Sequence, residues 1–248
     1  MALPFFQSLL TRITRIKTDY TNGLIVLINM RPIFITGIGT DVGKTLAAAI
    51  LTEALHADYW KPVQAGYENG TDGEWVRGII SNPLSRVHRE AYRLRIAASP
   101  HIAGREEGVK VDLGIITEHY KKIKGEMMKE KNERSLVIEG AGGILVPLNE
   151  NEFVAELIQR LDAKVILVSR NYLGSINHSL LTAAFCESKN IEVAGWIFND
   201  QYLGYEDEIV GWTGYPRIFS IPFMETIARK TISQQANASR ALIKKFLS

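Results

Sequence analysis

The chain has 248 residues, 46% of them hydrophobic, and 29 basic against 27 acidic side chains leave a formal charge of +2. That length can bury a full core in one large α/β domain, and the near balance of charge, with no block of like sign, excludes a nucleic-acid arm. A single cysteine, Cys186, excludes a disulfide framework and a multi-thiolate zinc cluster, and fits a reducing cytoplasm.

Residues 1–29 carry Arg12, Arg15 and Lys17 but lack the long apolar core of a secretory signal. The apolar run at 24–28 is far short of the roughly 20 residues that span a bilayer, so no membrane segment is expected. These residues read as an extension outside the core fold, ahead of a functional start at Met30, or as a targeting or interface segment. From residue 30 to 248 a single domain is expected. Short Ile- and Val-rich runs alternate there with amphipathic stretches, the pattern of a single α/β domain with a mostly parallel sheet and helices on both faces, which the motif from Gly37 to Gly43-Lys44-Thr45 makes P-loop NTPase-like.

The first predicted strand, 33–36, runs into Gly37-Ile38-Gly39-Thr40-Asp41-Val42-Gly43-Lys44-Thr45 and a helix at 44–56. This is the setting of a phosphate loop, although Gly37 and Gly43 stand one residue further apart than in the standard pattern. Backbone N–H groups from Gly39 and from Asp41, Val42 and Gly43 can turn inward on phosphate oxygens at the positive end of the helix. Lys44 would reach the β- and γ-phosphates of ATP, and the Thr45 hydroxyl is a candidate Mg²⁺ ligand. A strand at 57–60 follows and ends in Lys61-Pro62-Val63-Gln64-Ala65-Gly66, which puts a second cation, Lys61, beside the phosphate loop. Asp72 precedes a helix at 73–80 and reads either as a second metal ligand or as that helix's N-cap.

Residues 82–110 follow neither the helical nor the strand period and contain Ser99-Pro100-His101; they are expected to form a long connection over the active edge of the sheet. After a helix at 113–131, the strand 136–139 ends on Glu139 and enters Gly140-Ala141-Gly142-Gly143. An acid at a buried strand end needs a cation or hydrogen-bond donors, which makes Glu139 a candidate metal ligand. A helix at 152–161, a strand at 165–169, a helix at 175–190, strands at 193–198 and 218–221 and a helix at 233–246 complete the chain. Ligands of such sheets bind beyond the carboxyl ends of the strands, where all these motifs fall.

Four segments, Gly37 to Thr45, Lys61 to Gly66, Glu139 to Gly143, and Tyr172-Leu173-Gly174-Ser175-Ile176-Asn177-His178, together resemble dethiobiotin synthetase in order, spacing and content. The similarity runs from Met30 to about Asn199, with lesser agreement at 99–101 and 195–200. The resemblance implies an enzyme that closes the ureido ring of dethiobiotin from 7,8-diaminononanoate, CO₂ and ATP with Mg²⁺, through a carbamate and its mixed anhydride with phosphate. On that basis Lys44, Lys61 and Thr40 are catalytic, and Thr45, Asp72 and Glu139 hold the metal. Lys61 and Gly142 contact the substrate, while Gly174, Ser175, Ile176 and Asn177 of the other subunit of a homodimer receive its carboxylate at a helix N-terminus with free N–H groups. Asn199 resembles the family's base-recognising asparagine; from the residue alone it is equally a turn residue. No hydroxyl stands between Lys61 and Gly66, where many relatives carry one, so Gln64 or a backbone N–H would have to replace it.

Two other readings are weaker. A cobyrinate-type amide-forming synthetase lacks its glutaminase constellation here, because Cys186 falls inside a predicted helix. A partitioning or switch ATPase would carry an extra lysine early in the phosphate loop, and Ile38-Gly39-Thr40 has none.

Overall fold

The computed structural model describes residues 31–130, 134–200 and 203–247; the extension read at residues 1–29 lies outside them. In chain order the elements are β1 (Ile33–Gly37), α1 (Lys44–Leu55), β2 (Asp58–Trp60), β3 (Val63–Ala65), α2 (Asp72–Ile79), β4 (Val87–His88), β5 (Tyr92–Leu94), α3 (Pro100–Glu107) and α4 (Leu113–Lys129). They continue with β6 (Leu136–Gly143), α5 (Val154–Arg160), β7 (Lys164–Arg170), α6 (Ser175–Ser188), β8 (Val193–Asn199), α7 (Glu206–Thr213), β9 (Arg217–Ile221) and α8 (Arg229–Leu247).

Seven strands form one sheet in the order β4-β2-β6-β1-β7-β8-β9, and β3 pairs with β5 in a small second sheet. Every one of these pairings is parallel. Alternate residues of the central strands enter two separate cores. Phe34, Leu136, Ile138, Val165, Leu167, Trp196 and Phe198 face one core, with Ile116, Leu157, Cys186 and Ile209 of α4 to α7. Ile33, Ile35, Val137, Ile166, Val168 and Ile197 face the other, with Ala48, Leu51 and Ile243 of α1 and α8. Burial on both faces is why these strands read as unbroken apolar runs rather than alternating ones.

The order of strands also fixes where ligands can bind. From β1 the chain moves to one side for β2 and β6, then crosses β1 to add β7, β8 and β9 on the other. Such a reversal leaves a crevice beyond the carboxyl ends of the strands that flank it.

All six predicted strands and six predicted helices form, with ends shifted by up to four residues. The largest shifts are β6, which continues past Glu139 to Gly143, and α8, which begins at Arg229. The expectation of one long connection at 82–110 is corrected: it contains β4, β5 and α3. Strands of two and three residues are too short to show a period, but α3 carried local signals, with Pro100 at its first position and Gly108 closing it at φ +67°. Helix α7, also unforeseen, turns only Glu206 and Ile209 inward, too few for an amphipathic pattern.

Candidate active site

Between β1 and α1 the phosphate loop takes two left-handed residues, Asp41 at φ 56° and Gly43 at φ 92°. Such turns aim successive N–H groups into a common concavity for an anion. Gly43 is required for a second reason: a Cβ there would run into the side-chain amide of Asn199, which donates to the Val42 carbonyl at 3.2 Å. The residue at the end of β8 thus touches the loop at the start of α1.

Lys44 is buried, and its Nζ donates to the Gly39 carbonyl at 2.8 Å. Burial, only partly countered by the charge of Glu139, lowers its pKa from 10.5 to about 8. A phosphate placed in the loop would oppose that shift by supplying negative charge.

Glu139, 1% exposed on β6, gathers the remaining polar groups. Its Oε1 accepts from the Thr45 hydroxyl at 2.9 Å and from Lys61 Nζ at 3.1 Å, and its Oε2 accepts from the Tyr59 hydroxyl at 2.8 Å. Lys61 also donates to Asp72 Oδ2. Burial pulls the Lys61 ammonium down, but the charges of Glu139 and Asp72 and their hydrogen bonds outweigh it, and the pKa is raised. Burial and the neighbouring Glu139 charge push the Tyr59 phenol well above its ordinary value, so it stays a donor.

Asp72 is not the cap of α2. Thr71 holds that place, accepting from the Glu74 N–H at 3.1 Å while the Glu74 carboxylate accepts from the Thr71 N–H, a complete capping box. The Asp72 side chain is thereby left to Lys61, and its own N–H donates to Gln64 Oε1 at 3.1 Å. Gln64 Nε2 donates to the Gly66 carbonyl at 2.8 Å, so both ends of this amide are engaged within the protein.

A cavity of about 840 Å³ joins these parts. Thr40, Asp41, Gly43, Lys44, Thr45, Lys61, Asp72, Glu139, Gly142 and Asn199 line it, together with Gln64, Ala65, Ala97, Ala98, Ser99, Pro100 and Ile227. Thr45 bonds Glu139, and Lys61 stands between Glu139 and Asp72; the oxygens of these three residues are the ones that could hold a hard divalent cation here. Gly142 is left-handed, at φ 66°, and a Cβ there would press on Val146.

Gly174, Ser175, Ile176 and Asn177 at the start of α6, expected to serve the other subunit's site, do not line this chain's own cavity. The expectation of three free N–H groups there is corrected, because the Ser175 N–H donates to the Tyr172 carbonyl at 2.9 Å. Ser175 is itself buried, its hydroxyl 2.7 Å from that of Tyr205. Of the remaining residues at the site, the expected connection over the active edge does bring Ser99 and Pro100 to the cavity, Gln64 was named only as a stand-in for the missing hydroxyl, and Tyr59, Ala97 and Ala98 carried no signal of their own.

A parallel sheet with a phosphate loop, two lysines and paired carboxylates at one edge defines a P-loop nucleotide-using enzyme, and residues 31–231 match the family model described as an AAA domain. In fold the chain is similar to the MinC:MinD cell division protein complex of Aquifex aeolicus, with a TM-score of 0.53 at 15% identity over 87% of this chain and 95% of that one. It is 46% identical to an ATP-dependent dethiobiotin synthetase of Cytophaga hutchinsonii over 84% of this chain and 96% of the relative. It is 48% identical to another, of Christiangramia forsetii, over 67% and 74%. The chain belongs to the dethiobiotin synthetase family.

Proposed function

We propose that this protein makes dethiobiotin from 7,8-diaminononanoate, CO₂ and ATP, releasing ADP and phosphate, in the biotin pathway. The observation that carries the reading is the meeting of Lys44, Lys61, Thr45, Asp72 and Glu139 around one cavity. One amine of the substrate captures CO₂ as a carbamate, and the carbamate oxygen attacks the γ-phosphorus as ADP leaves. The second amine then attacks the carbonyl of the mixed anhydride, phosphate departs, and the ring closes.

Charge rises on oxygen at each stage, and the protein's part is positioning and electrostatic stabilisation. Lys61, held as an ammonium by its two carboxylates, faces the carbamate and the transferred phosphoryl group, and Thr40 offers a hydrogen bond at the cavity wall. Lys44 and the loop N–H groups hold the phosphates, and Asn199 reads the base. Mg²⁺ would be held by Thr45, Asp72 and Glu139, and when bound it offsets negative charge on the terminal phosphates.

The protein acts as a homodimer in this reading. The support is that Ile176 and Asn177 stand at a helix start away from their own cavity, and that the exposed Leu145 and Leu181 share a second, apolar cavity of about 310 Å³. Residues 30–248 are the working domain and residues 1–29 an extension to it. Among the described residues no helix is long and apolar enough to cross a membrane, and a cytoplasmic site of action is proposed.

The test is phosphate release from purified protein with Mg-ATP and bicarbonate, with and without 7,8-diaminononanoate, followed by mass detection of the ring-closed product. Product that requires all three inputs supports the assignment. ATP turnover indifferent to the diamine, or none, counts against it.

A further inference from the structure

We infer that Tyr59 is a positioning residue that divides the two carboxylate oxygens of Glu139 between separate tasks. Tyr59 lies in the middle of β2 and is wholly buried among the α1-side core residues, with no surface on the active-site cavity. At such a position phenylalanine would serve the packing, and a hydroxyl is costly unless it is bonded. Its partner is Glu139 Oε2, at 2.8 Å.

The carboxylate has only broad, roughly two-fold preferences about its last torsion, so packing at Glu139 does not by itself fix the plane of the carboxylate. The Tyr59 bond decides it. With Oε2 tied back into the core, Oε1 is the oxygen presented to Thr45 at 2.9 Å and Lys61 at 3.1 Å. Partners that fix a ligand carboxylate from behind commonly matter to metal affinity or rate by about 10- to 100-fold. The inference rests on the proposal that Glu139 is a metal ligand.

The test is Tyr59→Phe in the full chain, which keeps the buried ring, with Tyr59→Met as a second variant lacking the hydroxyl. Phosphate release is followed against Mg²⁺ concentration at saturating ATP, bicarbonate and diamine, and ADP binding is measured by calorimetry with Mg²⁺ and with EDTA. Both variants should raise the Mg²⁺ concentration for half-maximal rate by about tenfold or more, while ADP affinity in EDTA stays within about twofold of wild type. A Mg²⁺ requirement unchanged in either variant overturns the inference, as does a fall in EDTA affinity equal to that in Mg²⁺, which a merely structural role would give. Glu139→Gln separates the two claims: if it leaves the Mg²⁺ dependence of the wild type intact, the metal-site proposal fails and takes this inference with it. If Glu139→Gln loses that dependence, Tyr59→Phe in its background should cost nothing further, and an additive loss shows that Tyr59 does not act through Glu139.

Discussion

Lys44→Met should make the protein more stable while ending its activity. The environment of Lys44 lowers its pKa from 10.5 to about 8, chiefly by burial. A fall of about 2.5 in pKa at 1.36 kcal/mol each means that holding the ammonium in the folded chain costs about 3 kcal/mol. Methionine of similar length removes that cost and forfeits the bond to the Gly39 carbonyl, worth roughly 1.5–3 kcal/mol for a charged donor. The net gain is about 0.5–2 kcal/mol, or roughly 1–8 °C in melting temperature for a chain of this size. The sign with pH follows from proton uptake. Below pH 8 both folded and unfolded chains carry the charged lysine, so the cost is complete. Between pH 8 and 10.5 the unfolded chain binds the extra proton, wild-type stability recovers as pH rises, and the advantage of the variant fades. Thermal melts at pH 7 and pH 9.5, with and without Mg-ADP, provide the assay. Ligand should reverse the order of the two proteins, since only the wild type gains much from binding. A variant melting at or below wild type at pH 7, or a gain that persists unchanged to high pH, would refute the reasoning.

Lys61→Ala should cut the rate of phosphate release by about 10²–10³ with ADP affinity changed only a few-fold; equal losses in both would remove the transition-state role. Gly43→Ala places a side chain at φ 92° against the Asn199 amide, and strain of about 1–3 kcal/mol should weaken ADP binding by about fivefold or more by calorimetry. Asp58 is buried, and although burial raises its pKa, bonds from His88, the Arg86 N–H and Arg134 outweigh it and hold the carboxyl below the ordinary 3.8. Its contribution to stability is present above that value and is lost as pH falls through the lowered one. Urea unfolding between pH 5 and 3 should therefore show a shallower loss for Asp58→Asn than for wild type.

The sequence disclosed most about residues whose role depends on local chain geometry. Gly43-Lys44-Thr45 after an apolar run, Lys61 after the second strand and Glu139 at the end of the apolar run 136–138 each announce a position toward the carboxyl edge of a parallel sheet. That edge brings them together in three dimensions. Asp72 was ambiguous because cap and metal ligand share the same residue type at a helix start. The ambiguity ends only when Thr71 is seen to cap, a decision made by a difference of one residue that propensities cannot resolve. Ser175 misled for a related reason, since whether a first-turn N–H is free depends on how the preceding loop folds back, and here the Tyr172 carbonyl takes it.

Tyr59 and Gln64 belong to a different category: nothing beside Tyr59 marks it, and Gln64 stands inside the motif from Lys61 to Gly66 with no sign of the partner it takes. Tyr59 sits in a strand that any large apolar residue would fill, and its partner is 80 positions away. Gln64 reaches eight residues forward to hold the Asp72 N–H. Tyr59 acts on the carboxylate of Glu139 and Gln64 on the backbone of Asp72, so the ion pairs of Lys61 depend on two neutral side chains as well as on charge. Charge alone would let Asp72 and Glu139 collapse onto Lys61 in several arrangements. What selects one is that a core phenol holds the far oxygen of Glu139 and a buried amide anchors the first turn of α2. The chemistry of the site can thus be read from its charged residues, but its geometry comes from neutral ones.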